Sequence, residues 1–136
     1  MKQMLVCAAV GVSGTIVEMF FGHWNESLTT LLILMVIDFC LGFSQAAFFK
    51  ASTKTKSGAL SSNEAFKGIV KKVSMLALVA VGFRLDVVLG TSIKSIVIYG
   101  LMASELVSIT ENLGGMGVPI PTAIMKSIDL LKNKEG

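Results

Sequence analysis

Glu18, Asp38, Asp86 and Glu105 interrupt otherwise apolar runs. A carboxylate at the centre of a membrane helix costs about 2.5–3.5 kcal/mol on insertion scales, so each must meet protein or water. Such a group can carry protons, pair with a cation or line an aqueous path. The neighbours narrow the choice. Asp38, Gly42 and Gln45 follow i, i+4, i+7 and share one helix face. Gly11, Gly14 and Glu18 also align at helical spacing, and Ser104, Glu105, Ser108, Glu111 and Asn112 cluster on adjoining faces. Small residues let helices approach closely, and polar ones bond across them. His23 has no companion at metal-ligand spacing and reads, with Trp24, as an interfacial pair. Cys7 and Cys40 read as small buried apolar residues, so neither a metal nor a cofactor is expected.

The elements that must position these groups are four apolar runs, at 4–21, 28–49, 73–89 and 93–109. At about 1.5 Å per residue each nearly crosses a bilayer core of about 30 Å. The chain is 53% hydrophobic and 15% charged, against roughly 25% charged in soluble domains. The expected fold is therefore all-α: an integral membrane protein with four transmembrane helices, the third and fourth forming a tight hairpin. Residues 1–113 form the membrane domain and 114–136 a separate tail. No segment outside lipid is long enough for a soluble active site, so most enzyme classes are excluded. The first run has the charge and apolar core of a signal peptide but no clean small-x-small cleavage site, and reads as a retained span.

The lysines alternate between loops. Lys2 precedes the first run, and 22–27 has no Lys or Arg. The 50–72 stretch holds Lys50, Lys54, Lys56, Lys67, Lys71 and Lys72, and the tail holds Lys126, Lys132 and Lys134. The positive-inside rule places both termini and the long loop in the cytoplasm. Because the charge of +3 is confined to short loops, anionic lipid is its expected partner and nucleic acid is not. Within the loop, 50–60 reads as a mobile linker and 61–64 as a capping box, Ser61 with Glu64. Lys67, Gly68, Lys71 and Lys72 then form an amphipathic collar at the inner surface, ahead of the third span. In the tail, Gly114, Gly115 and Gly117 break the fourth helix, and Pro119 and Pro121 delay a restart until Thr122. Ile124, Ile128 and Leu131 share one face of a helix that either lies on the cytoplasmic leaflet or belongs to a solvated tail.

Two readings of the polar stripes remain open. The groups pair inside one subunit and fix its packing, or they line a water-filled lumen between subunits. On the second reading Asp38, Gly42, Gln45, Glu18, Glu105 and Ser108 are the residues for lumen or subunit contact, and the protein is a homo-oligomer.

Several segments carry a resemblance: IDFCLG at 37–42, SSNEAFKGIVKKV at 61–73, LD at 85–86, SELVSITENL at 104–113 and GVPIP at 117–121. In this order they resemble the phage holin family that includes toxin-secretion holins of Gram-positive bacteria. The first span carries no part of the likeness. The resemblance implies a protein that accumulates in the bacterial cytoplasmic membrane and then assembles into lesions. These release or activate a cell-wall-degrading endolysin, or let out a toxin, without necessary direct contact. Asp38 with Gly42, Gly68 with Lys71 and Lys72, Asp86, Glu105, Glu111 with Asn112, and Gly117 with Pro119 and Pro121 match the family pattern. No catalytic role comes with them, and the last three imply turn geometry. The alternatives are a small proton-coupled multidrug transporter using Glu18 or Asp38, and a regulatory membrane subunit.

Overall fold

The computed structural model describes residues 1–50, 54 and 56–135, with only the backbone of Glu135. Among these residues the chain is helical throughout, without a strand: α1 (Lys2–Phe21), α2 (Glu26–Ser44), α3 (Ser62–Leu89), α4 (Ile93–Gly115) and α5 (Thr122–Glu135). A π-helical stretch, Gln45–Phe49, extends α2. Part of the expected 50–60 linker lies outside the described residues.

Local chemistry explains most boundaries. The Asn25 side chain accepts the Leu28 N–H at 2.9 Å, and Glu26 sits in the first turn of α2. Both favour a helix start, by filling a free N–H and by opposing the helix dipole. The α3–α4 turn is built on Gly90, at φ 64°, and on the Asp86 carboxylate. That carboxylate accepts from the Thr91 hydroxyl at 2.8 Å and the Lys94 N–H at 2.9 Å, so it caps α4 across the turn.

One local expectation needs correction, the capping box, and two others are sharpened. The collar and the third apolar run are one continuous helix of 28 residues. Ser61 stands at its N-cap but makes no side-chain cap bond, and Glu64 instead pairs with Lys67 at 2.8 Å. The fourth helix does end in its glycine cluster, with Gly115 as its last residue. The break comes at Gly117, at φ 80°. Its N–H reaches the Gly114 carbonyl at 3.0 Å and the Val118 N–H reaches Leu113 at 2.9 Å. This is a Schellman closure, which favours glycine at the left-handed position.

Leu28, Leu31, Met35, Met75, Val79 and Ile98 form the apolar core between α2, α3 and α4. The central element is α4, which packs on α2, α3 and α5, whereas the backbone of α1 approaches only α3. Lys94, Ile98, Glu105, Ile109 and Asn112 are buried on one side of α4. Ala103 is only 2% exposed, and at 100° per residue it lies on nearly the opposite side. There Tyr99 meets Lys134 of α5, its ammonium 5.1 Å from the ring centre. Cys7 and Cys40 are free and exposed, not buried as expected, because each points away from the α2–α3–α4 packing.

The segments Lys2–Phe21, Glu26–Phe49 and Ile93–Gly115 are long and apolar enough to cross a membrane. The 73–89 part of α3 is not among them, since Lys72 adjoins it and Arg84 and Asp86 stand within it.

Candidate functional site: a charged junction between three helices

Asp38 on α2, Lys72 on α3, and Glu105 and Asn112 on α4 converge. The Lys72 ammonium donates to Asp38 Oδ2 at 2.7 Å and to Glu105 Oε2 at 2.6 Å. Asn112 Nδ2 donates to Asp38 Oδ1 at 3.0 Å. Helical spacing brings this about. Glu105 and Asn112 are seven residues apart on one face of α4, and Gly42, one turn beyond Asp38, leaves room for the Asn112 amide. A Cβ at Gly42 would lie 3.5 Å from that amide.

The junction is largely buried, with the Lys72 side chain keeping 17% of its surface. Glu105 is 2% exposed and Asp38 and Asn112 are each 8% exposed. Two carboxylates share one ammonium, so the formal charge does not cancel. The asymmetry matters, because removing one partner of a buried pair costs about 3–5 kcal/mol while the intact pair adds little net stability. The junction therefore locks three helices in one register rather than strengthening them greatly.

Beside it lies a cavity of about 310 Å³, lined by Asp38, Gly42, Gly68, Lys71, Lys72 and Ser108, with Ser104, Glu64 and Glu111 at its polar wall. Six of the residues nominated from sequence thus meet at one site. Glu105 lies behind it in the junction. Gln45 is buried against Gly115, where a side chain would collide with its amide. Lys67 points outward to Glu64. Glu18 stands apart on α1, no residue of which is buried, and a Cβ at Gly11 or Gly14 would touch nothing within 4 Å. Gly117, Pro119 and Pro121 lie in the exposed connection to α5.

Sequence reasoning placed Lys72 in the surface collar. The structure turns it inward, and only the positions of Asp38 and Glu105 on other helices could have predicted that. A second polar cluster was also missed, at the α3–α4 hairpin. Lys94 is 8% exposed. Its ammonium donates to the Phe21 carbonyl and, at 3.4 Å, to that of His23, and lies 5.5 Å from the centre of the Phe83 ring. It thereby satisfies the last carbonyl of α1 and one just beyond the helix end, a favourable place for a cation. Among the described residues no His, Cys, Asp and Glu grouping could hold a metal ion.

Comparison with known proteins adds the family. An uncharacterised protein of Clostridium perfringens is 30% identical over 139 residues, covering 98% of this chain and 97% of its own length. An uncharacterised protein of Listeria monocytogenes is 33% identical over 125 residues, covering 90% and 84%. The uncharacterised protein YtkC of Bacillus subtilis is 32% identical over 127 residues, covering 92% and 89%. No solved structure matches. The model of the bacteriophage holin family matches residues 15–133, and with its membrane-length apolar helices the chain is a membrane protein that belongs to that family.

Proposed function

We propose that the chain is a holin: a non-enzymatic protein that oligomerises in a bacterial cytoplasmic membrane and opens lesions there, releasing or activating an endolysin or letting out a toxin. The observation that carries this reading is α1. It is an apolar helix of membrane length with no buried residue, and its Glu18 carboxylate makes no hydrogen bond or ion pair within the described residues. An unpaired carboxylate in an apolar helix must find water or another subunit. The open Gly11–Gly14–Glu18 face suits a contact between copies, with water beside the acid. Asp38, Gln45 and Glu105 face inward within one copy, so the packing role suits them better than the lumen.

The fourth span is the 73–89 part of α3, with Arg84 and Asp86 near one end where long side chains can reach the interface. Before assembly both termini and the basic loop then lie in the cytoplasm. For the transporter reading an acid must be free to trade its proton for a cation, which leaves Glu18 as its one candidate. Asp38 is held by Lys72 and Asn112.

The test is expression in a bacterial host with a folded cytoplasmic reporter. Abrupt growth arrest, depolarisation and reporter leakage are expected, and Glu18→Gln should change their timing. Growth without depolarisation, or altered drug tolerance alone, would sink the proposal.

A further inference from the structure

In the structure α5 folds back on α4 rather than standing apart as a separate tail. The chain reverses at Gly117, and α5 runs back along α4 until Lys134 meets Tyr99. Tyr99 lies six residues into α4, about 9 Å from its start and about 24 Å from its end at 1.5 Å per residue. Where α4 crosses the bilayer, α5 therefore lies at bilayer depth. Its contact side is Ile128, which is buried, with Leu131 and Ser127 partly covered. Lys126, Asp129 and Asn133 follow i, i+3, i+7 on the side away from Ile128 and are exposed, with Leu130 among them at 65%, while Lys132 is exposed at the edge of the contact side. The charges of Lys126, Asp129 and Lys132 would each cost about 2.5–3.5 kcal/mol in the centre of a bilayer, far more together than the burial of Ile128 returns. The other side of α4 is already filled by α2 and α3. Water must therefore stand beyond α5.

We propose that α5, seated on the Tyr99–Ala103 side of α4, forms the aqueous wall of the lesion, presenting Lys126, Asp129 and Asn133 to the lumen. This rests on the holin reading and deepens it. Ala103 lets the two helices approach closely. The same helix is amphipathic enough to lie at the membrane surface before assembly, with Gly117, Pro119 and Pro121 forming the hinge between the two positions. Opening then exchanges one partner of the apolar face of α5 for another, lipid for α4.

The test uses full-length protein with Cys7 and Cys40 replaced by alanine, first shown to lyse as the parent does. A Tyr99→Cys/Lys134→Cys pair is treated with a short bismaleimide before and after lesions open. In a separate variant, Asp129→Cys carries a nitroxide in reconstituted oligomers. The expected result is a 99–134 crosslink that rises when lesions open. The nitroxide at 129 should be relaxed by a water-soluble nickel complex, not by oxygen dissolved in lipid. If lesions open and leak reporter without the crosslink, α5 is not seated on α4 and the proposal falls. A crosslink with an oxygen-relaxed nitroxide also overturns it, because α5 then faces lipid. If the parent protein depolarises no cell and leaks no reporter, the holin reading fails first and carries this inference with it.

Discussion

Helices α1 and α4 are built from similar material, and their fates differ. Each is apolar, of membrane length, and interrupted by a glutamate. In α4 that glutamate is 2% exposed and bonded to Lys72. In α1 it stands on a helix without a buried residue. One acid is spent on holding a subunit together, and the other is left for what lies outside it. An acid in an apolar run is thus not a functional signal until its partner is known.

Four changes would break or sharpen this contrast. The largest effect is expected from Lys72→Met, which leaves Asp38 and Glu105 buried without their cation. It should cost about 3–5 kcal/mol, read as loss of folded protein in detergent or of protease resistance in membranes. Adding Asp38→Asn and Glu105→Gln should recover much of that loss, and a triple variant as unstable as the single one would refute the junction. Next comes Gly82→Val. A Cβ there would lie 3.1 Å from the Lys94 backbone, which cannot give way as a side-chain tip could, so overpacking should cost about 1–3 kcal/mol in the same assay. Lys67→Ala removes an exposed pair with Glu64 and should shift stability by no more than about 0.5 kcal/mol. The sharpest contrast comes from Glu18→Gln, expected to leave the stability of the folded subunit within about 0.5 kcal/mol while altering oligomer formation on native gels. A large loss of fold stability would place Glu18 in the subunit core instead.

The legible part of the fold was what depends on local pattern. The runs at 4–21, 28–49 and 93–109 became α1, α2 with its π-helical extension, and α4, because apolar length is a property of contiguous residues. Asp38, Gly42 and Gln45 were correctly placed on one face. What that face meets was not legible. Lys72 lies in a lysine-rich stretch like its neighbours, and only the rotation of α3 against α2 and α4 sends it inward while Lys71 stays exposed. In the sequence Lys94 and Asp86 stand only as charges near the ends of apolar runs. Their roles as caps on α1 and α4 depend on contacts that cross the hairpin.

The sequence by itself determined that this is a helical membrane protein with acids where acids are costly, since hydropathy and helical spacing act residue by residue. Its motifs also pointed to the holin family. Tertiary structure alone decided which acids are satisfied at home, and that the tail folds back on α4. Those outcomes depend on which faces meet across long stretches of chain: a buried ion pair leaves no local mark, and the turn at 117–121 marks a break without saying where the next helix lies.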